Sequence, residues 1–121
     1  MDFASAIKTV FSNYANFNDR SGRPEFWWWA LAYILGSILV NAVTGGDLGF
    51  ASVSAATIYY LALLVPNIAV GVRRLHDTGK SGWWLLLWFI PLIGWIVVLY
   101  FLVQPSQGSN QYGDGPLAPA K

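Results

Sequence analysis

Residues 73–84 read RRLHDTGKSGWW and gather three of the seven basic residues and the only histidine of the chain. Uncharged apolar runs lie on both sides, from residue 48 to residue 72 and from residue 83 to residue 103. A short polar loop between two such runs is typical of a turn between membrane-spanning helices, because a span needs about 20 predominantly apolar residues. This stretch therefore predicts an integral membrane protein.

The composition supports the same class. Charged residues make up 11% of the 121 residues and apolar residues 55%, whereas an ordinary soluble domain carries about 25% charged residues. A small soluble domain of this composition would expose large apolar patches and aggregate. The length fits one domain, so we interpret residues 1–121 as a single membrane domain.

The apolar segments predict an all-α integral membrane protein with three transmembrane helices, at about residues 26–44, 50–72 and 83–103. Gly45, Gly46 and Asp47 form a tight turn between the first two, and Pro91 with Gly94 predicts a bend in the third. The tail, residues 104–121, is rich in Gly, Pro, Ser and Gln. We expect it to be mostly flexible, apart from an ordered turn around residues 110–116.

A short amphipathic helix is predicted before the first span, over residues 2–14. Its apolar residues recur at helical spacing, which favours a helix lying in the headgroup region. Packing on its own bundle is an equal alternative. Tryptophan is enriched at membrane interfaces, so we expect interfacial anchors at the first and third spans, namely Trp27, Trp28, Trp83 and Trp84.

The basic residues predict the orientation. Six of the seven cations precede the first span or lie between the second and third, and the positive-inside rule places that face in the cytoplasm. Three spans would then put the N-terminus inside and the C-terminus outside.

With three spans, eight polar residues meet at one membrane boundary and form a candidate polar cluster. They are Arg20, Arg23, Glu25, Arg73, Arg74, His76, Asp77 and Lys80. Charges near the hydrocarbon should pair, and we expect Glu25 to contact Arg73 or Arg74, and Asp77 to contact Arg23. The cluster has two interpretations. It either sets topology and caps helices, or forms a shared site for an anionic lipid headgroup.

Other chemistry finds little support. The chain has no cysteine and one histidine, so thiol chemistry is excluded and a zinc site would lack ligands. A phosphate-binding P-loop would need glycine where Arg74 stands. His76, Asp77 and Ser81 are too close in sequence to form a hydrolytic triad. We expect no catalytic residue, cofactor, metal or nucleic-acid partner.

Several motifs resemble family 805 of the domains of unknown function, small bacterial inner-membrane proteins of the YhaH and YhaI type. The resemblance covers nearly the whole chain and is carried by RRLHD at 73–77, SGWW at 81–84, PLIG at 91–94, an N-terminal arginine–aromatic motif (Arg20, Arg23, Glu25, Phe26, Trp27) and a C-terminal motif (Gly108, Asn110, Tyr112, Gly113, Pro116). It implies a multi-spanning inner-membrane protein and no particular activity.

We therefore predict a non-enzymatic accessory or assembly component of the bacterial inner membrane, whose cytoplasmic polar face binds anionic phospholipid. A homo-oligomer or a membrane-protein partner is compatible with this role. The alternatives are an oligomeric transporter or channel subunit and, third, an enzyme acting on lipid headgroups with His76 and Asp77 as its acid–base residues.

Overall fold

The computed structural model describes residues 1–43 and 50–118, so the turn predicted at residues 45–47 lies outside the described residues. The described chain contains no named strand, which confirms the all-α class. Its elements are α1 (Phe3–Ser12), α2 (Arg23–Val43), α3 (Phe50–Asp77), the 3₁₀ helix η1 (Gly82–Phe89) and α4 (Ile93–Leu102).

Two helices are long and apolar enough to cross a membrane: Arg23–Val43 in α2 and Ala55–Asp77 in α3. At ~1.5 Å per residue they measure about 32 and about 35 Å, against about 30 Å for the hydrocarbon core. Apolar side chains point away from the bundle, with Leu39 63% and Ile58 68% exposed. The first two predicted spans are therefore apolar helices whose outer surface suits lipid.

The third predicted span, residues 83–103, is not one helix. Ile90 is extended, with φ −98° and ψ 105°, as is favoured before a proline. Leu92 then has φ +64° and ψ −70°, and the Ile93 amide donates to the Pro91 carbonyl at 2.8 Å. These values describe a γ-turn with positive φ, a rare and strained conformation. The sequence predicted a bend here, and the structure has a chain reversal.

The reversal makes η1 and α4 an antiparallel helical hairpin. Near its tip, Trp95 Nε1 donates to the Trp88 carbonyl at 2.8 Å. At its base, the rings of Trp84 and Phe101 meet edge to face with centroids 5.4 Å apart. Its arms measure about 16 Å for η1 at ~2.0 Å per residue and about 15 Å for α4. Each arm is about half as long as the hydrocarbon core is thick, so neither arm alone is long enough to span it.

The hairpin returns the chain to the face at which α3 ends. Leu102, at the end of α4, packs with Leu75 and Val98 in one buried cluster. The Leu117 amide then donates to the Arg20 carbonyl at 2.9 Å. These contacts contradict the predicted placement of the C-terminal segment across the membrane from the N-terminal segment, because that prediction depended on a third full span.

Helix α1 packs on the bundle. Asp2 caps it by accepting a hydrogen bond from the Ser5 amide at 2.8 Å. Val10 is buried against Trp29 and Val70, while the outer side of α1 stays partly exposed. The helix predicted over residues 2–14 therefore exists, and of its two predicted positions the contact with its own bundle is observed.

The four predicted tryptophan anchors are all exposed and lie where α2 and η1 begin. Trp83 is the most open at 77%, whereas the Trp28 ring also contacts Phe3, with centroids 5.8 Å apart.

Candidate functional site

Five charged residues at the end of α3 form what we call the arginine network: Arg20, Arg73, Arg74, Glu25 and Asp77. All five are 0% exposed. The last turns of α3 supply three of them, the segment before α2 supplies Arg20, and the first turn of α2 supplies Glu25. Successive residues of an α-helix point about 100° apart, so Arg73 and Arg74 reach different parts of the chain.

Arg73 holds the segment between α1 and α2. Its Nη2 donates to Glu25 Oε2 at 2.6 Å and its Nε to Ser21 Oγ at 2.9 Å. Nη1 donates to the backbone carbonyls of Asn13 and Asn16, both at 2.9 Å. The predicted contact between Glu25 and an arginine of α3 is thereby confirmed, with Arg73 as the partner.

Asp77 joins the other two arginines. Its Oδ1 lies 2.9 Å from Arg20 Nη2, and its Oδ2 accepts from Arg74 Nη1 at 2.9 Å and from the Ser106 hydroxyl. The predicted partner, Arg23, is wrong: its side chain is exposed, and its Nη1 lies 3.5 Å from the Val103 carbonyl. Arg20 pairs with Asp77 instead, because the loop before α2 places it next to the end of α3.

The remaining donors of Arg20 bind the tail. Its Nη1 donates to the carbonyls of Gly108 and Gly113 at 3.0 and 2.9 Å, and its Nη2 to the carbonyls of Gln107 and Asp77. With the bond from Nε to Asp77 Oδ1, all five N–H groups of the guanidinium have acceptors.

Arg74 binds the tail closer to α4. It donates from Nε to the Leu102 carbonyl at 3.0 Å and from Nη2 to the Gln104 carbonyl. Residues predicted as a mostly flexible tail thus surround two guanidinium groups. The predicted turn around residues 110–116 is also present, since Asn110 and Gly113 exchange two backbone hydrogen bonds.

His76 belongs to the same contact between loop and tail. Its ring stacks on Tyr112, with centroids 3.8 Å apart and planes 2° from parallel, and its Nδ1 lies 3.1 Å from the Asp19 carbonyl. Asn110 donates to the His76 carbonyl at 3.0 Å. Tyr112, Asn110 and Ser106 were not predicted as site residues. Only the resemblance of the C-terminal motif pointed toward Asn110 and Tyr112.

Comparison with known proteins gives the family. Residues 14–114 match the protein family of unknown function DUF805. The inner membrane protein YhaI of Escherichia coli K12 is 40% identical over 112 residues, covering 89% of this chain and 92% of YhaI. The inner membrane protein YhaH of the same organism is 36% identical over 111 residues, covering 88% and 92%.

The chain belongs to the DUF805 family. A more distant relative, the uncharacterized E. coli protein YiiR, is 32% identical over 83 residues, covering 69% of this chain and 53% of YiiR. No solved structure shows significant similarity. The relatives and the two apolar helices support a bacterial inner-membrane location.

The energetics explain why this DUF805 protein uses arginine in its network. A buried charge costs several kcal/mol unless hydrogen bonds satisfy it. Arginine presents five N–H donors in a planar fork, whereas lysine presents three at a single point. Each guanidinium here connects acceptors from separate segments, so the network cross-links α3, the α1–α2 segment and the tail.

The cations outside the network differ. Within residues 1–43 and 50–118, ion pairs join only network members, and Lys8, Arg23 and Lys80 take part in none. Lys80 Nζ lies 5.0 Å from the centroid of the Phe101 ring. The described residues also contain no group of three or more potential metal-ligating side chains. The described cations that a ligand can reach therefore lie outside the network.

We predict that Glu25→Ala lowers the free energy of unfolding by about 3–5 kcal/mol, because it leaves the buried Arg73 unpaired. Asp114→Ala is the matched control: Asp114 is exposed, and among the described residues its carboxylate accepts a hydrogen bond only from Ser109, at 3.5 Å. Asp2 is unsuitable because it caps α1. Thermal unfolding in detergent measures both variants, and equal tolerance at the two positions would contradict a buried pair.

We predict that Arg20→Lys releases the tail although it keeps the charge, because lysine cannot reach the carbonyls of Gln107, Gly108 and Gly113 together. Hydrogen exchange of the Gln107 and Gly113 amides should accelerate at least tenfold. Arg23→Lys, at an exposed position, should leave both amides unchanged. Unchanged exchange in Arg20→Lys would show that the network does not hold the tail.

Proposed function

We propose that this protein is a non-enzymatic accessory or assembly component of the inner membrane, whose polar face binds anionic phospholipid. The proposal rests on one observation: every guanidinium nitrogen of Arg20, Arg73 and Arg74 has a hydrogen-bond partner within the protein. Since these nitrogens bind carbonyl, carboxylate and hydroxyl oxygens of the protein itself, the network holds the end of α3, the segment before α2 and the tail in a fixed arrangement. We call this surface the platform. Among the described residues, Lys8, Arg23 and Lys80 lie outside the network, and we propose that Arg23 at the start of α2 and Lys80 just after α3 meet the ligand.

The geometry around His76 and Asp77 argues for a structural role. A general acid or base must come within hydrogen-bond reach of its substrate. Asp77 is 0% exposed and bound by two guanidinium groups. The His76 ring is covered by Tyr112. A lipid-headgroup enzyme using these two residues would have to break the contacts that hold the tail.

The distribution of charge supports a cytoplasmic position for the platform. The six cations predicted at one face lie on α1, just before or at the start of α2, at the end of α3 or in the loop that follows it. The positive-inside rule then assigns this face to the cytoplasm. Because the tail contacts Arg20, we propose that residues 104–117 are cytoplasmic as well.

An oligomeric transporter or channel subunit is the alternative proposal. One observation favours it: polar groups occur between α2 and α3, where Trp29 Nε1 donates to Asn67 Oδ1 at 2.7 Å and Tyr59 to the Tyr33 carbonyl at 2.6 Å. Polar residues within a membrane can mark a pathway. Two spans cannot enclose one, so a single-chain mass in detergent would contradict this alternative.

We predict that the N-terminal segment and the tail face the cytoplasm. The chain has no cysteine, so Asn18→Cys and Ser109→Cys provide single labelling positions, both exposed. A membrane-impermeant maleimide should label neither in intact spheroplasts and both in inverted vesicles. Labelling of Ser109→Cys in intact spheroplasts would place the tail outside and contradict the proposed topology.

We predict that the purified protein retains phosphatidylglycerol in preference to phosphatidylcholine, because each basic residue near an anionic surface contributes about 1 kcal/mol. Native mass spectrometry from vesicles containing equal amounts of the two lipids measures the preference. Equal retention of both would contradict the lipid-binding part of the proposal.

A further inference from the structure

A cleft opens beside the arginine network, between the end of α3 and the start of the tail. Lys80, Tyr100, Gln104 and Gln107 are among its lining residues. Of the described residues that line it, Lys80 is the only charged one. The cleft therefore combines one positive charge with hydroxyl and amide groups.

The network fixes the walls of this cleft. Arg74 holds the carbonyl of Gln104, and Asp77 accepts from the hydroxyl of Ser106. The amide of Gln107 donates to the Asp77 carbonyl at 2.8 Å. These contacts attach three successive parts of the tail to α3, so the cleft is preorganised before any ligand arrives.

Lys80 is positioned for an anion. Its ammonium lies over Phe101, 5.0 Å from the ring centroid, a contact that favours a cation without neutralising it. The backbone carbonyls of Leu102 and Gln104 at the end of α4 would disfavour an anion, but both accept hydrogen bonds from Arg74. Lys80 therefore dominates the local charge.

An apolar groove adjoins the charged cleft. It runs along η1 and is lined by Trp83, Trp84, Leu86, Leu87 and Ile90, with Ser81 at its end. The edge-to-face pair of Trp84 and Phe101 separates the groove from the cleft, with centroids 5.4 Å apart. A ligand that fills both must carry a negative head and an apolar chain.

We propose that the Lys80 cleft and the η1 groove form one site for a single anionic phospholipid. The phosphate lies against Lys80 and Tyr100, and an acyl chain follows the groove toward Ile90. This inference rests on the proposed lipid-binding function and moves the contact away from Arg73 and Arg74. Charge complementarity and the position of the two depressions on either side of the Trp84–Phe101 pair favour a phospholipid over a soluble phosphate.

The test compares Lys80→Gln with Lys8→Gln, which removes the same charge from an exposed position on α1. Retention of phosphatidylglycerol, measured by native mass spectrometry, should fall about fivefold or more in Lys80→Gln and less than twofold in Lys8→Gln. Lys80→Arg should retain the lipid. Equal losses in the two glutamine variants would overturn the site and leave the proposed function intact, whereas a wild type without lipid preference would overturn both.

Lysine footprinting tests the site in the wild-type chain and does not depend on the folding of a variant. Phosphatidylglycerol should slow acetylation of Lys80 at least threefold and leave Lys8 unchanged. Soluble glycerol phosphate at the same concentration should not protect Lys80. Equal protection by glycerol phosphate would show a phosphate site without a role for the groove, and no protection by the lipid would overturn the proposal.

Discussion

The carboxylate of Asp77 is the acceptor on which the charged end of the structure depends. It binds Arg20 through one oxygen and Arg74 through the other, both at 2.9 Å. Arg20 comes from the segment before α2, and Arg74 binds the backbone carbonyls of Leu102 at the end of α4 and of Gln104 at the start of the tail. Removing this carboxylate would leave two buried guanidinium groups facing each other, so three segments would lose their common attachment.

The protein thereby inverts the arrangement of a soluble domain. Its apolar side chains cover the outside of α2 and α3, while five charged residues are buried at one end. Hydrophobic burial against lipid contributes little to helix association, because lipid tails are as apolar as leucine. At the charged end, the guanidinium groups instead attach the α1–α2 segment and the tail to α3 through hydrogen bonds. This explains why both segments converge on the end of α3.

The hairpin of η1 and α4 brings the tail to the arginine network, where Arg20 and Arg74 bind its carbonyls. A third full span would have carried the tail to the opposite face, away from Arg20 and Asp77. Because α4 runs antiparallel to η1, the tail closes over the network and forms one wall of the Lys80 cleft. The arginine network therefore holds in place the accessible polar surface of the Lys80 cleft.

The sequence by itself determined the all-α membrane class, the two long apolar helices and the pairing of Glu25 with an arginine of α3. The length of an apolar run and the charges at its ends are visible in the order of residues along the chain. Pro91 and Gly94 also indicated a break, since proline cannot continue a helix. The reversal of the chain between η1 and α4, the choice of Arg20 over Arg23 and the position of the tail depended on tertiary structure. These features arise because backbone carbonyls bind the arginines, and every residue carries such a carbonyl whatever its side chain.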